Sequence, residues 1–307
     1  AASFFCVFVI DDLAVHNDLA VVNYIDLVGQ RHDFVQFEAD QQNRLALVAL
    51  VHNVLVYVFN CTDVQTASGV YGDKQILVDY YDRMKRYAHF MMSRCGKLGL
   101  MAKPLGLKGD AAKYAVNAGQ SYGEWAEPAD VYPNDWKDMV APHPEVSTAY
   151  TAYVMGIMAE AAEKYGTKEE MVLFREYHEG CKRAYQELVT TAAYPLDTDR
   201  QARLVRPLAF NLLDEQQTEY ARKRLIQALE NYSWRLGTGF LSTPLILDVL
   251  ARYDIDVAYR LLENEEMPGW LFMPKNGATT IWESWEGTQA QGGIASLNHY
   301  SKGAVCE

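Results

Sequence analysis

VSTAYTAYVMGIMAEAAEKYGTKEEMVLFREYHEGCKRAYQEL, residues 146–188, is written in a helical period. In its first half apolar residues fall at Val146, Tyr150, Tyr153, Val154, Ile157, Met158, Ala161 and Tyr165. Steps of three and four predict one helix with one buried face. Gly166-Thr167 interrupts the pattern, and Thr167 is a residue type that caps a helix N-terminus. A second helix follows, with Met171, Phe174, Cys181, Tyr185 and Leu188 on its inner side. So short a break between two helices predicts an antiparallel hairpin. The same spacing predicts helices over 74–94, 216–232, 244–253 and 255–263, while strand-like alternation is scarce. The expectation is an all-α chain, an α/α barrel of helical hairpins in a single domain over 1–307.

Between the helices lie long segments rich in aromatic residues: 96–145, 194–207, 234–243 and 267–297. Compact domains seldom keep such loops without a use, which predicts that they gather at one end of the scaffold as a pocket. Half of the 307 residues are apolar, enough for one large core without disulfides. A formal charge of −12, without a basic stripe, disfavours nucleic acids and leaves a neutral sugar nearly unaffected. The five cysteines are odd in number and scattered, with no CxxC pair. They read as free thiols in a reducing compartment, hence a cytoplasmic location, rather than as a zinc site. The apolar run from Ala2 to Ile10 is too short to span a bilayer and reads as a buried segment.

Four loop segments carry chemistry. Gly277-Ala278-Thr279-Thr280-Ile281-Trp282-Glu283-Ser284-Trp285-Glu286 sets Glu283 between two indoles, flat apolar rings suited to the C–H face of a sugar. The same loop continues to Ser296-Leu297-Asn298-His299-Tyr300, a source of hydrogen-bonding groups. Ser121-Tyr122-Gly123-Glu124-Trp125-Ala126-Glu127-Pro128-Ala129-Asp130 adds three acids and two aromatics, although Glu127-Pro128 also reads as a helix start. Asp197-Thr198-Asp199-Arg200-Gln201-Ala202-Arg203 mixes acids with Arg and reads either as sugar-binding polar groups or, in its Asp-Thr-Asp-Arg run, as a cap with a surface ion pair. Leu236-Gly237-Thr238-Gly239-Phe240-Leu241-Ser242-Thr243-Pro244 brings backbone close to whatever is bound, since glycine has no Cβ. Taken singly, each also reads as ordinary packing or turn chemistry.

Taken in order, Gly123-Glu124-Trp125, Glu145-Val146-Ser147-Thr148-Ala149-Tyr150, the Leu236 to Pro244 stretch, Gly277 to Glu283, and Ser296-Leu297-Asn298-His299-Tyr300 resemble the catalytic domain of bacterial α-L-rhamnosidases, glycoside hydrolase family 78. The resemblance covers about 71–307. It implies an (α/α)6 barrel, inverting hydrolysis of terminal α-L-rhamnosides, and no metal or organic cofactor. It further implies that Glu283 is the general base acting on water and that His299 contacts the sugar, with Trp125, Trp282 and Trp285 shaping the pocket. The family's acid motif, Asp-Cys-Pro-x-Arg-Glu-x-x-Gly-Trp-Thr-Gly-Asp, is not reproduced in residues 1–70. Aligning on position places Asp11 near the general acid and Asp18 at the motif's last, sugar-binding Asp; Glu124 and Glu127 are the alternative acids. The resemblance also implies that the chain is part of a larger multidomain enzyme. A rhamnose-binding relative that has lost its acid is the alternative; a lyase or phosphorylase on the same barrel lacks a basic phosphate cradle. Nucleic acid and membrane are not expected partners.

Overall fold

In a computed structural model, the structure describes residues 6–9, 23–26, 75–100, 102–119, 121–133, 141–290 and 293–303. Asp11 and Asp18 lie outside the described residues.

Two four-residue strands, β1 (Cys6–Val9) and β2 (Asn23–Asp26), pair antiparallel with Cys6 opposite Asp26. Among the described residues every other long element is a helix: α1 (Gln75–Met92), α2 (Gly109–Tyr114), α3 (Pro144–Tyr165), α4 (Lys168–Leu188), α5 (Gln201–Ala209), α6 (Glu215–Asn231), α7 (Thr243–Ala251), α8 (Ile255–Leu262) and the single turn α9 (Phe272–Lys275). Helices α3 and α4, α5 and α6, and α7 and α8 pair as successive hairpins. Helix α1 lies against α3, α2 against α4, and α5 against α7, so the hairpins pack side by side.

The hairpin turns are locally encoded. Thr167 Oγ1 accepts the Glu170 N–H at 3.2 Å while Glu170 Oε2 accepts the Thr167 N–H at 3.0 Å, a reciprocal capping box that starts α4. Asp214 and Gln217 make the same exchange at the start of α6.

Helix α3 is buried over more than the one face its periodicity predicts. Ser147, Thr148 and Thr151 are buried along with Tyr150, Val154 and Met158. These hydroxyls are satisfied internally: Thr148 Oγ1 accepts the Val116 N–H at 2.9 Å and Thr151 donates to the Ser147 carbonyl at 2.7 Å. Helix α3 is therefore a central wall, with one apolar cluster shared with α1 and α4 through Met91, Met155, Met158 and Phe174. A larger cluster joins α3 to α4–α8 through Tyr150, Tyr185, Leu204, Leu229 and Ile246.

Three segments read as loops contain helix. Helix α2 interrupts 96–145 and α9 interrupts 267–297, both too short to show a period. Helix α5 occupies the second half of 194–207, where Pro207 reads as a break but is accommodated inside the helix. Glu127-Pro128 begins no helix; a turn follows it.

Candidate active site

The segment from Thr280 to His299 doubles back on itself. Glu283 N–H donates to the Ser296 carbonyl at 2.9 Å, and His299 N–H to the Ile281 carbonyl at 2.8 Å. The Thr280 hydroxyl bonds the Leu297 carbonyl. This two-stranded clasp fixes the backbone on either side of Glu283. The side chain is fixed as well, since its Oε2 accepts the Ser296 N–H at 3.0 Å. Glu283 is half-buried, and none of the described residues donates a hydrogen bond to its Oε1.

His299 lies across from it. Its imidazole stacks on Phe240, ring centroids 5.1 Å apart at 22°. Burial lowers the His299 pKa below the ordinary value, a shift that Glu283 opposes and Lys302 assists. The ring is neutral at pH 7. Its Nδ1 accepts the Ser301 N–H at 3.3 Å, which places the ring proton on Nε2.

A short 3-10 turn, Tyr300–Gly303, carries Lys302. Its side chain is 1 % exposed, and Nζ sits 4.1 Å from the Trp285 ring centroid and 5.8 Å from that of Phe240. The Lys302 carbonyl accepts the Trp270 indole N–H at 2.6 Å, and Trp270 meets Trp285 edge to face at 6.3 Å. Trp285 is thus a floor beneath Lys302. Trp282 is turned elsewhere. It is 3 % exposed and packed on Gly287, where a Cβ would lie 1.9 Å from the indole, so it is a buried prop of the Glu283 turn.

The third contributor is the turn before α7. Phe240 N–H donates to the Trp125 carbonyl at 2.9 Å, joining it to the loop that contains Trp125. Trp125 is half-buried, meets Tyr122 edge-on at 5.2 Å, and holds a left-handed backbone with φ 46°, followed by Ala126 at 55°. Non-glycine residues adopt that conformation when their surroundings impose it. Here Gly239 imposes it: a Cβ on Gly239 would lie 2.0 Å from the Trp125 carbonyl oxygen.

Below these loops lies a buried ionic layer. Arg200, Arg203 and Arg206 recur every third residue on α5 and its N-terminus and face Glu127, Glu145 and Glu124 respectively. Arg200 Nε bonds both oxygens of Glu127 at 2.8 and 3.0 Å. Glu124 is 2 % exposed and saturated with donors: Gly239 N–H at 3.2 Å, Ser242 N–H at 2.6 Å and Ser242 hydroxyl at 2.9 Å, besides Arg206. Burial pushes its pKa up while Arg206 pulls it down. The geometry corrects its reading as an alternative acid. With both oxygens held by these donors, Glu124 instead ties the Trp125 loop to the Gly239–Ser242 turn. Glu127, locked to Arg200, has the same structural character. Asp197 and Asp199 pair with Arg224 of α6 at 3.0 and 2.8 Å and cap nothing.

The site missed by sequence reasoning is Lys302, which follows directly on the Asn298-His299-Tyr300 motif. The ionic layer was also missed: Glu124 and Glu127 read as acids, and only the fold brings Arg206 and Arg200 against them. Among the described residues no cluster of three or more His, Cys, Asp or Glu could hold a metal ion, and no helix is long and apolar enough to cross a membrane.

Residues 58–307 match the model of the bacterial alpha-L-rhamnosidase six-hairpin glycosidase domain. The chain belongs to this family. Its helical hairpins are those of an (α/α)6 barrel, consistent with solved relatives. An alpha-L-rhamnosidase of Formosa agariphila is 32% identical over 244 residues, 77% of this chain and 24% of that protein. One of Streptomyces avermitilis is 29% identical, over 77% of this chain and 21% of its own. The crystal structure of the Streptomyces avermitilis alpha-L-rhamnosidase complexed with L-rhamnose superposes with a TM-score of 0.59 at 27% identity, over 76% of this chain and 21% of that one. That of the Dictyoglumus thermophilum enzyme gives 0.61 at 26%, over 76% and 24%. The chain therefore spans about a quarter of the length of the curated relatives it matches.

Proposed function

We propose that this chain hydrolyses terminal α-L-rhamnosides with inversion, Glu283 serving as general base. The observation that carries the proposal is the setting of Glu283: one oxygen is held by Ser296 and the other is left for a water, beside a neutral histidine on an aromatic platform. A base needs a vacant lone pair in a fixed place, and the clasp supplies one. The rhamnosidases to which the chain is similar support the choice of sugar.

In this reading a water bound to Glu283 Oε1 attacks the anomeric carbon on the face opposite the leaving oxygen. Its proton passes to Glu283 as the C–O bond breaks through an oxocarbenium-like state. A second carboxyl, roughly 6.5–9.5 Å away, protonates the leaving oxygen. We assign that role to Asp11 and a sugar-binding role to Asp18; both follow from family resemblance. His299 Nε2–H donates to a sugar hydroxyl, and Trp125 and Trp285 line the walls.

Proton NMR during turnover of 4-nitrophenyl α-L-rhamnoside tests the proposal. The β anomer of rhamnose should appear first and mutarotate later. First appearance of the α anomer would overturn inversion. Binding of rhamnose without turnover would instead identify a non-catalytic sugar-binding relative.

A further inference from the structure

We propose that Lys302 is a sugar-binding residue, its ammonium donating to a hydroxyl of the glycone seated between Glu283 and Trp285; this rests on the rhamnoside reading above. An ammonium carries three donors. Among the described residues none of the three meets an oxygen: Nζ lies over the faces of Trp285 and Phe240, with no hydrogen bond or ion pair. Ring faces attract a cation but leave its directional donors unused. Beside it, the Trp285 indole N–H is buried and likewise without an acceptor. A buried indole N–H without an acceptor, beside an ammonium that meets no oxygen among the described residues, is costly in a finished core and ordinary in a site awaiting a polyol. A pyranose edge with neighbouring hydroxyls offers the missing acceptors to Lys302 and Trp285, and a hydroxyl proton to Glu283.

The charged groups around Lys302 are Glu283 and Glu286 on the clasp and its turn, and His299 on its own segment. Both carboxylates favour the ammonium, but burial outweighs them and pushes its pKa down to about 7. Sugar affinity should therefore depend on pH with a sign that follows from the chemistry. Below about 7 the donor is charged, and a charge-assisted bond is roughly twice as strong as a neutral one. Above about 7 the charge is lost and affinity falls.

The experiment is calorimetric titration of L-rhamnose into wild type, Lys302→Met and Lys302→Arg, at about pH 5.5 and about pH 8.5. Wild type should bind on the order of tenfold more weakly at the higher pH. Lys302→Met should bind weakly at both values, and Lys302→Arg, charged throughout, should lose the pH dependence. Lys302→Met binding like wild type, or keeping its pH dependence, would overturn the proposal, as would wild-type affinity that does not change with pH. Should Lys302→Met fail to fold, the wild-type and Lys302→Arg curves decide. The readout is binding, so a failure of the hydrolytic reading, seen as absent turnover with intact rhamnose affinity, is distinct from a failure here.

Discussion

Lys302 and Glu283 show how differently two charged side chains are treated within one site. Glu283 is half-buried and bonded through one oxygen, whereas Lys302 is enclosed and, among the described residues, its ammonium meets only ring faces. An enclosed ammonium opposes folding: between about 7 and its ordinary 10.5 the unfolded chain holds a proton that the folded chain lacks. Stability contributed by this group therefore rises with pH across that window. Lys302→Met, similar in volume and apolar, should raise stability near neutral pH by roughly 2–4 kcal/mol and flatten the slope between about pH 7 and pH 10. Urea melts across that range measure it; a destabilised variant with an unchanged slope would show that the amine is not titrating there. Neither the enclosure of Lys302 nor the orphaned Trp285 N–H is visible in Tyr300-Ser301-Lys302-Gly303, because both are created by Phe240 and Trp270, which are distant in sequence.

At the scale of elements, the site depends on how α5 and the turn before α7 hold the Trp125 loop. Arg206→Met leaves Glu124 buried without its guanidinium and should cost about 3–5 kcal/mol. Replacing both Arg206 and Glu124 by apolar residues should recover part of that loss, as a double-mutant cycle by denaturation would show; strict additivity would deny the coupling. Gly239→Ala drives a methyl into the Trp125 carbonyl and should cost at least about 2 kcal/mol while displacing Phe240 from under His299. Rhamnose affinity and thermal melting together check it, and an unchanged variant would refute the close approach. Helices α3, α4 and α6 were legible because each carries two or more turns of clear pattern or a cap such as Thr167. Helix α5 was not, since it is short, buries Gln201 and Arg206 among its apolar residues, and contains a proline that suggests an ending. For the same reason Glu124 reads as a free acid until Arg206 is seen opposite it.

For the whole molecule, several carboxylates are held below their ordinary range. Burial alone would raise Glu145, but Arg206 and Arg203 outweigh it. Glu170 is lowered by the Thr167 N–H and then by Lys85, Glu176 by Tyr114 and Lys113, and Asp199 by Asn231 and Arg224. A depressed carboxyl contributes stability above its unfolded value and loses it as pH falls through the folded one. Unfolding should therefore set in progressively below about pH 4.5, and Glu145→Gln should flatten part of that acid limb in melting curves taken across it. A Glu145→Gln limb identical to wild type would contradict the assignment. In the proposed mechanism the aromatic platform, the neutral His299 and the clasp then serve one group, the Glu283 carboxylate that we propose receives the water proton. The most direct measurement is kcat of Glu283→Gln on 4-nitrophenyl α-L-rhamnoside, with rhamnose affinity and melting temperature taken alongside. With Glu283 as general base, kcat should fall about a thousandfold or more with binding and folding retained; turnover within about threefold of wild type would contradict that role.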